Sequence, residues 1–439
     1  MSTGAVIGLG YVGLPLLVHM AEAGHTVVGV DTNADKVATI RSGQFDLERD
    51  YGSRAGKLIQ SGQVVVTTNF DELAQADFIS ICVPTPLDGM KTPDLSYVRS
   101  ATVEISRRLR PGQTVVLEST TFPGTTADLV RPILEESGLH AGVDFYLAYS
   151  PERVDPGNPH FDTQSTPKVV GADDQTSLQK IVDFYGSFIE NVVPVTGTKT
   201  AEMTKLLENT FRAVNIAFVN ELSIMCERLD INVWEVIDAA KTKPFGFMPF
   251  YPGPGIGGHC IPLDPLYLSW KAKSVNFFSR FIETAADINN NMPRHVVEKI
   301  IRMLGTAGVP GHLAKVLLLG MSYKPDVADY RESPSYEVME LLLHEGVQVA
   351  YHDPYVPSLP IGKHVMESVS LSDIEAYDCI VALVRHSAFD VSDIASRAKL
   401  IFDTRNMFQG IDGPIVRLGD GTRSQQSHGD GKHVVPLRG

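Results

Sequence analysis

Short β-branched runs alternate with helical patterns through the N-terminal part of this chain, and that alternation leaves few folds open. A-V-I-G-L, T-V-V-G-V, V-V-V-T, F-I-S-I-C-V and T-V-V-L-E read as strands buried on both faces, with helix-period sequence between them. Strands separated by helices pair in parallel, because the connection must return along a face of the sheet before the next strand starts. F-Y-L-A-Y-S and K-V-V-G carry the series to about Thr198. Residues 200–229 then contain neither Gly nor Pro; as one helix they would span about 45 Å, enough to link two lobes and to serve as a dimer core. The strand-helix rhythm returns near residue 314 with A-K-V-L-L-L-G, a helical stretch over 335–344, then V-Q-V-A-Y-H-D, D-C-I-V-A-L-V and K-L-I-F-D.

The expected fold is therefore α/β, with two Rossmann-like doubly wound domains joined by a central helical domain that contains one long helix. The expected boundaries are residues 1–199, 200–305 and 306–410, followed by a Gly-, Ser-, Asp- and Gln-rich tail over 411–439 read as disordered. Lys and Arg number 38 against 52 Asp and Glu, a net charge of −14, so the surface lacks the basic balance that a nucleic-acid backbone requires. Cys82, Cys226, Cys260 and Cys379 are far apart and form no CxxC, which argues against a structural metal or a disulfide framework and for a reducing compartment. The apolar segment over 4–21 has no Lys or Arg before it and is broken by Gly8, Gly10, Gly13 and Pro15. It is expected to be neither a signal peptide nor a membrane span, which points to the cytoplasm.

Gly8, Gly10 and Gly13 fit G-x-G-x-x-G, with a strand before them and a helix, residues 14–23, after them. The first glycine permits the tight turn, the second lets a pyrophosphate approach the backbone, and the third lets the helix pack on the strand. Asp31 closes the second strand, where it can accept from a ribose 2′-hydroxyl and repel a 2′-phosphate, so NAD is expected rather than NADP. Thr85 and Thr121 follow later strands, at the sheet edge where ligands of such folds collect.

A second unusual segment is P-F-Y-P-G-P-G-I-G-G-H-C-I-P-L-D-P. Its glycines can wrap closely on a ligand and they deliver Cys260, which on the residues alone is either a nucleophile or a small buried hydrophobe. Beside a dinucleotide site a thiol has a use: it traps an aldehyde so that a second hydride can leave and water can cleave the resulting thioester. Lys205 and Asn209 share one helix face at i and i+4 and could donate to an oxyanion, or simply be solvated. Asp264 could manage a proton or cap the next helix.

With these segments G-L-G-Y-V-G-L-P, V-P-T-P, E-S-T-T-F-P-G-T, S-P-E-R, K-L-L-E-N-T-F-R-A-V-N-I-A, G-P-G-I-G-G-H-C and S-Y-K-P-D-V-A-D-Y-R-E-S-P occur in order. In this the chain resembles the UDP-glucose/GDP-mannose dehydrogenase family, four-electron oxidases of nucleotide-sugar C6, as far as about Phe408. The resemblance implies Cys260 as nucleophile, Lys205 and Asn209 as oxyanion donors, Glu152 in thioester hydrolysis, Thr121 on a water and Asp264 in proton transfer. It implies Tyr11, Val12, Lys36, Thr85 and Arg331 on NAD with the glycine loop, and Tyr251, Gly257, Lys324 and Arg405 on the UDP-sugar, with Glu152, Lys205 and Asn209 also touching the sugar.

The G-G-H-C-I-P-x-D-P form, with His259 before the nucleophile, resembles the branch that oxidises UDP-N-acetylhexosamines, and F-G-F-M-P-F-Y-P-G-P resembles the members that act on UDP-N-acetylglucosamine. UDP-glucose and UDP-N-acetylmannosamine are the alternative substrates, and a homodimer or higher homo-oligomer is expected, with no nucleic-acid or membrane partner. A two-electron hydroxy-acid dehydrogenase would need no thiol, and a non-catalytic NAD-binding protein would need none of Cys260, Lys205 and Asn209.

Overall fold

The computed structural model describes residues 2–45, 50–89, 92–154, 161–258 and 260–421. Eight strands form the first sheet: β1 (Thr3–Ile7), β2 (Thr26–Val30), β3 (Val64–Thr67), β4 (Phe78–Ile81), β5 (Thr114–Leu117), β6 (Tyr146–Tyr149), β7 (Lys168–Ala172) and β8 (Val192–Val195). Their spatial order is β3-β2-β1-β4-β5-β6-β7-β8, whose first six places follow the doubly wound dinucleotide-binding order. Alternate residues of one strand enter different cores: Val6 packs with Leu14, Leu17 and Met20, whereas Ala5 and Ile7 pack with Ile79 and Ile81. A sheet covered on both faces explains why these strands read as unbroken apolar runs.

One departure matters for the site. β1 to β6 run parallel to their neighbours, but β6 meets β7 antiparallel, pairing Ala148 with Ala172 and Tyr149 with Gly171, and β8 follows β7 in parallel. The start of β7 consequently lies at the edge where β1 to β6 end.

The second sheet contains β9 (Lys315–Leu319), β10 (Gln348–His352), β13 (Cys379–Ala382), β14 (Ile401–Asp403) and β15 (Ile415–Arg417) in the order β10-β9-β13-β14-β15, all parallel. Between β10 and β13 the chain makes a small antiparallel hairpin, β11 (Ser358–Ile361) with β12 (His364–Glu367), which the sequence pattern did not suggest. Leu317 and Ile380 serve one face of this sheet and Val316 and Val381 the other.

The long helix runs over Thr198–Arg228, 31 residues, and a second long helix spans Arg280–Thr306. The central helical stretch contains the expected long helix, and its residues divide between two compact units. Residues 200–209 and 263–278 belong with the first sheet, and residues 210–262 and 279–305 with the second. In the first unit Glu202 explains the attachment: its buried carboxylate accepts from the Thr126 amide at 2.8 Å and the Thr126 hydroxyl at 2.7 Å, and also from the Gly124 amide. Burial outweighs those donors and pushes its pKa up to about 7.

The polar-tail expectation fails for its first part. Ile415–Arg417 adds a strand to the sheet, Leu418 is fully buried and its carbonyl accepts from the Trp234 indole at 2.7 Å, and Val233 donates to Gly419 at 2.8 Å. Three apolar residues in a polar context were too short a signal to outweigh composition. Residues 422–439, included in the same expectation, lie outside the described residues. A chain ending at residue 421 is therefore expected to melt several degrees higher than one ending at 413, since burial of Leu418 and the indole bond are worth roughly 2–4 kcal/mol; equal melting temperatures by calorimetry would contradict the docking of this segment.

Candidate functional site

In the first unit the glycine turn sits at the strand-order reversal. Gly8 has φ 91°, and an added Cβ would collide with the Cys82 carbonyl just beyond β4. A side chain at Gly13 would likewise run into the Gly8 carbonyl, whereas one at Gly10 would meet open space. The helix Gly13–Glu22 starts at Val12 without a side-chain cap, which leaves its amide end available to an anion, and Tyr11 beside it is exposed. Asp31, buried at the end of β2, accepts from the Leu9 amide at 2.9 Å, the Asn33 amide at 2.9 Å and the Lys36 ammonium at 2.7 Å. Open space over Gly10, an uncapped helix end and a carboxylate after the second strand fit an NAD dinucleotide. Lys36, by this geometry, balances the charge of Asp31.

The ends of β4 and β5 are tied together beside this turn. The Thr85 hydroxyl donates to the Thr120 carbonyl at 2.8 Å, and the Tyr267 hydroxyl donates to the Thr85 and Pro86 carbonyls. Burial pushes the Tyr267 phenol up to about 12, so it stays a donor. Thr121 is fully buried and its hydroxyl has no hydrogen-bond partner among the described residues, an expensive state unless a water or a ligand completes it.

Lys205, Asn209 and Asp264 are all buried in the same unit. Asp264 opens the helix Asp264–Lys273 and accepts from the Asn209 side-chain amide. Burial raises its pKa to about 6, against the opposing pull of Lys205 and Asn209. The two donors and the carboxylate, separated in sequence, thus form one buried polar group.

Glu152 follows β6 and is half-buried. One carboxylate oxygen accepts from the Arg153 amide at 2.9 Å and the Val154 amide at 2.7 Å, and the other lies 3.7 Å from the Lys168 ammonium. Lys168 also pairs with Glu118 at 2.8 Å, and the Tyr185 phenol donates to Glu118 at 2.6 Å. None of Lys168, Glu118 and Tyr185 emerged from the sequence pattern. The available signal was a lone charge at the start of one apolar strand, β7, and another just past the end of β5, two places away in the sheet.

The second unit holds Cys260, which is exposed. Its glycine loop is clamped from several sides: the Gly253 amide donates to Asn220 at 2.9 Å, Asn220 donates to Asn289 at 2.9 Å, and the Gly258 amide donates to the Glu332 carbonyl at 3.1 Å. Gly257 and Gly258 lie against Tyr323, and Gly253 against the Arg405 guanidinium, so neither end of the loop has room for a Cβ. A cleft of about 630 Å³ borders Gly255, Ile256, Asn289, Arg331 and Tyr336. Asn220 and Asn289 were missed because buried amides inside helical patterns carry no distinctive spacing.

Arg405 donates to the Leu383 carbonyl at 3.0 Å but forms no ion pair among the described residues, and burial pulls its pKa down to about 10. It remains charged near neutrality and short of a counter-anion, as an anion-binding residue should be. Lys324 is half-buried beside Tyr323, and Tyr251 stacks on Trp234 with ring centroids 6.2 Å apart. Arg331 is exposed and held in a fork by Asp329, at 2.9 and 2.7 Å. His259 lies outside the described residues.

The turn after β9 repeats that after β1 almost atom for atom. Gly320 has φ 86° and donates to His352 at 3.0 Å, as Gly8 donates to Val30 at 2.8 Å. Asp353, after β10, accepts from the Met321 amide at 2.6 Å, where Asp31 takes that of Leu9. Here, however, the carboxylate is also engaged by His386 Nε2 at 3.1 Å, while His386 Nδ1 accepts from the Asp326 amide at 3.0 Å. This histidine fastens the loop that carries Lys324.

Comparison with known proteins agrees with this arrangement. Residues 3–189 match the NAD binding domain of the UDP-glucose/GDP-mannose dehydrogenase family, residues 199–291 its central domain, and residues 317–410 its UDP binding domain. The chain is 36% identical over 414 residues to UDP-N-acetyl-D-mannosamine dehydrogenase of Methanocaldococcus jannaschii, covering 92% of each chain. It is 35% identical over 393 residues to UDP-N-acetyl-D-glucosamine 6-dehydrogenase of Pseudomonas aeruginosa, covering 88% of this chain and 90% of the relative. The solved structure of the UDP-D-ManNAc dehydrogenase from Pyrococcus horikoshii superposes with a TM-score of 0.87 at 32% identity, over 95% of this chain and 99% of that one. Three family domains matched in order identify the chain as a member of the UDP-glucose/GDP-mannose dehydrogenase family, an NAD-dependent nucleotide-sugar dehydrogenase.

Proposed function

We propose that this enzyme oxidises the C6 hydroxyl of UDP-N-acetylglucosamine to a carboxylate through a thioester on Cys260. The observation that carries the reading is the buried group of Lys205, Asn209 and Asp264: a cation and an oriented amide beside a carboxylate with a pKa near 6 suit an oxygen that becomes an oxyanion and must exchange protons. When bound, NAD accepts the hydride in each of the two oxidations. Lys205 and Asn209 donate to the C6 oxygen as its proton leaves, and the Cys260 thiolate, four residues before Asp264 in the chain, adds to the aldehyde. After the second oxidation Glu152 takes a proton from the attacking water, and Thr121, with its unsatisfied buried hydroxyl, holds that water. The thiol leaves and the carboxylate forms. The balance is one alcohol, two NAD and one water giving one carboxylate, two NADH and three protons. Because one domain binds NAD, the sugar must stay bound between the two oxidations.

On the substrate side, Arg405, Lys324, Tyr251 and Gly257 hold the nucleotide sugar, with Glu152, Lys205 and Asn209 near the reacting end. Tyr11, Val12, Lys36, Thr85 and Arg331 serve NAD with the glycine turn. A second reading, with UDP-N-acetylmannosamine as substrate, is favoured by the names of the Methanocaldococcus and Pyrococcus relatives. The long helix exposes Met203, Leu207, Phe211, Phe218 and Met225, spaced to share one stripe, and we assign that stripe to a second copy of the chain in a homodimer. No described helix is long and apolar enough to cross a membrane; we place the enzyme in the cytoplasm on its cysteine spacing and on the use of its N-terminal apolar run in β1 and the first helix.

UDP-N-acetylglucosamine, UDP-N-acetylmannosamine and UDP-glucose, each mixed with NAD, should differ in NADH production, with the first the fastest and two NADH formed per sugar. One NADH per sugar would end the four-electron reading, and faster oxidation of the manno sugar would establish the second. Cys260→Ser should lose roughly a hundredfold or more in turnover, and Glu152→Gln should accumulate a sugar adduct on the Cys260 peptide, visible by mass spectrometry of the quenched mixture. Light scattering should give twice the chain mass for the native enzyme and a single chain for Phe211→Glu/Phe218→Glu; a native monomer would refute the dimer.

A further inference from the structure

The first unit buries a cationic side chain that the chemistry above does not use. Lys168 is 5% exposed and starts β7, Glu118 is 1% exposed and follows β5, and their side chains pair at 2.8 Å. The Tyr185 phenol occupies the other Glu118 oxygen at 2.6 Å, and its ring lies 4.9 Å from the Lys168 ammonium. Buried ion pairs are poor stabilisers, because taking both charges out of water costs about as much as their attraction returns. An apolar pair would hold these strands together as well, which makes the retention of the charges informative.

The strand reversal shows where the charge is directed. The β6–β7 register pairs Ala148 with Ala172 and Tyr149 with Gly171, and the same register continued three places further sets Lys168 opposite Glu152. The ammonium lies 3.7 Å from the Glu152 carboxylate oxygen that the Arg153 and Val154 amides do not use. The backbone next to Glu152 is fastened to the same stretch: Ser150 donates to the Val169 carbonyl at 2.8 Å, and Arg153 donates to the Pro167 carbonyl at 2.6 Å while pairing with Glu208 at 2.7 Å.

We propose that Lys168, anchored by Glu118 and Tyr185, is a positioning residue for Glu152: its ammonium holds one carboxylate oxygen of Glu152 in the geometry needed to activate the water that cleaves the thioester. The inference rests on the role given to Glu152 above. Burial opposes the charge on Lys168, but Glu118 and Glu152 together outweigh burial and hold its pKa above the ordinary value, so the ammonium is permanent at working pH. Cys82 lies close to the same charges; burial and Glu118 raise its pKa well above that of an ordinary thiol, which keeps it out of the covalent chemistry.

The test separates the oxidations from hydrolysis. Intact enzyme is mixed with excess NAD and whichever of the two UDP-N-acetylhexosamines the native enzyme oxidises, and both the NADH burst and the steady rate are recorded. Lys168→Met should keep a burst of two NADH per site and the native kcat/KM, lose roughly ten- to a hundredfold in steady turnover with KM falling in step, and carry a sugar adduct on the Cys260 peptide. Lys168→Arg should recover most of the rate. Because Lys168→Met strands the Glu118 charge and could impair folding, Glu118→Gln/Lys168→Met is measured alongside and should show the same burst and adduct. Burst and steady rate falling together in the double variant, or a steady rate unchanged in both, would overturn the proposal. An adduct in Glu152→Gln but in neither Lys168 variant overturns this inference alone, and no adduct in any of them overturns the role of Glu152 as well.

Discussion

The reversal of β7 is the constraint that decides how the buried charges of the first unit are paired. In a wholly parallel sheet the first residue of every strand lies at the edge away from the ligand crevice. The antiparallel β6–β7 pair brings the starts of β7 and β8, at Lys168 and Val192, to the edge where β1, β2, β4, β5 and β6 end. Gly8, Asp31, Thr85, Thr121, Glu118 and Glu152 all lie just past those strand ends. Without the reversal, Glu118 would be a buried carboxylate with only a phenol for company, and Glu152 would lack an opposing cation.

The two sheets show one turn put to two uses. A glycine with positive φ, an amide and a carboxylate after the adjacent strand recur at Gly8, Leu9 and Asp31 and again at Gly320, Met321 and Asp353. In the first sheet the carboxylate is shared with exposed-side groups, Lys36 and the Asn33 amide, and stays near the crevice surface. In the second it is closed off by the buried His386, whose other ring nitrogen accepts from the Asp326 amide. Burial opposes ionisation of Asp353, but His386 and the Met321 and Tyr355 amides outweigh it and keep its pKa below the usual carboxylate range. A carboxylate already occupied inside its own loop is suited to shaping that loop.

Buried polar groups recur wherever the chain must hold a loop still. Glu202 gathers the Gly124 and Thr126 amides, Asn220 and Asn289 hold the Gly253 amide, and Asn209 is bound to Asp264. Each is costly if any partner is missing, and each ties a loop or a helix start to a long helix. The loops concerned carry the residues to which catalysis and binding are assigned, so local precision rests on the rigid helices and strands beside them.

The sequence by itself determined the local structure and the family. Apolar period, glycine spacing and ordered motifs are properties of short stretches, so two Rossmann-like sheets, the long helix and the NAD turn were legible, with helix ends at Gly13, Glu22, Thr198 and Arg228 within a residue or two of expectation. Tertiary structure decided whatever depends on residues far apart in the chain: the direction of β7, the added strand β15, and the division of the central helices between two compact units. It also chose the partners of buried charges, joining Glu118 to Lys168 and Asp353 to His386. Strand direction and long-range pairing are set by the lowest-energy burial of the whole sheet, and no window of neighbouring residues encodes that.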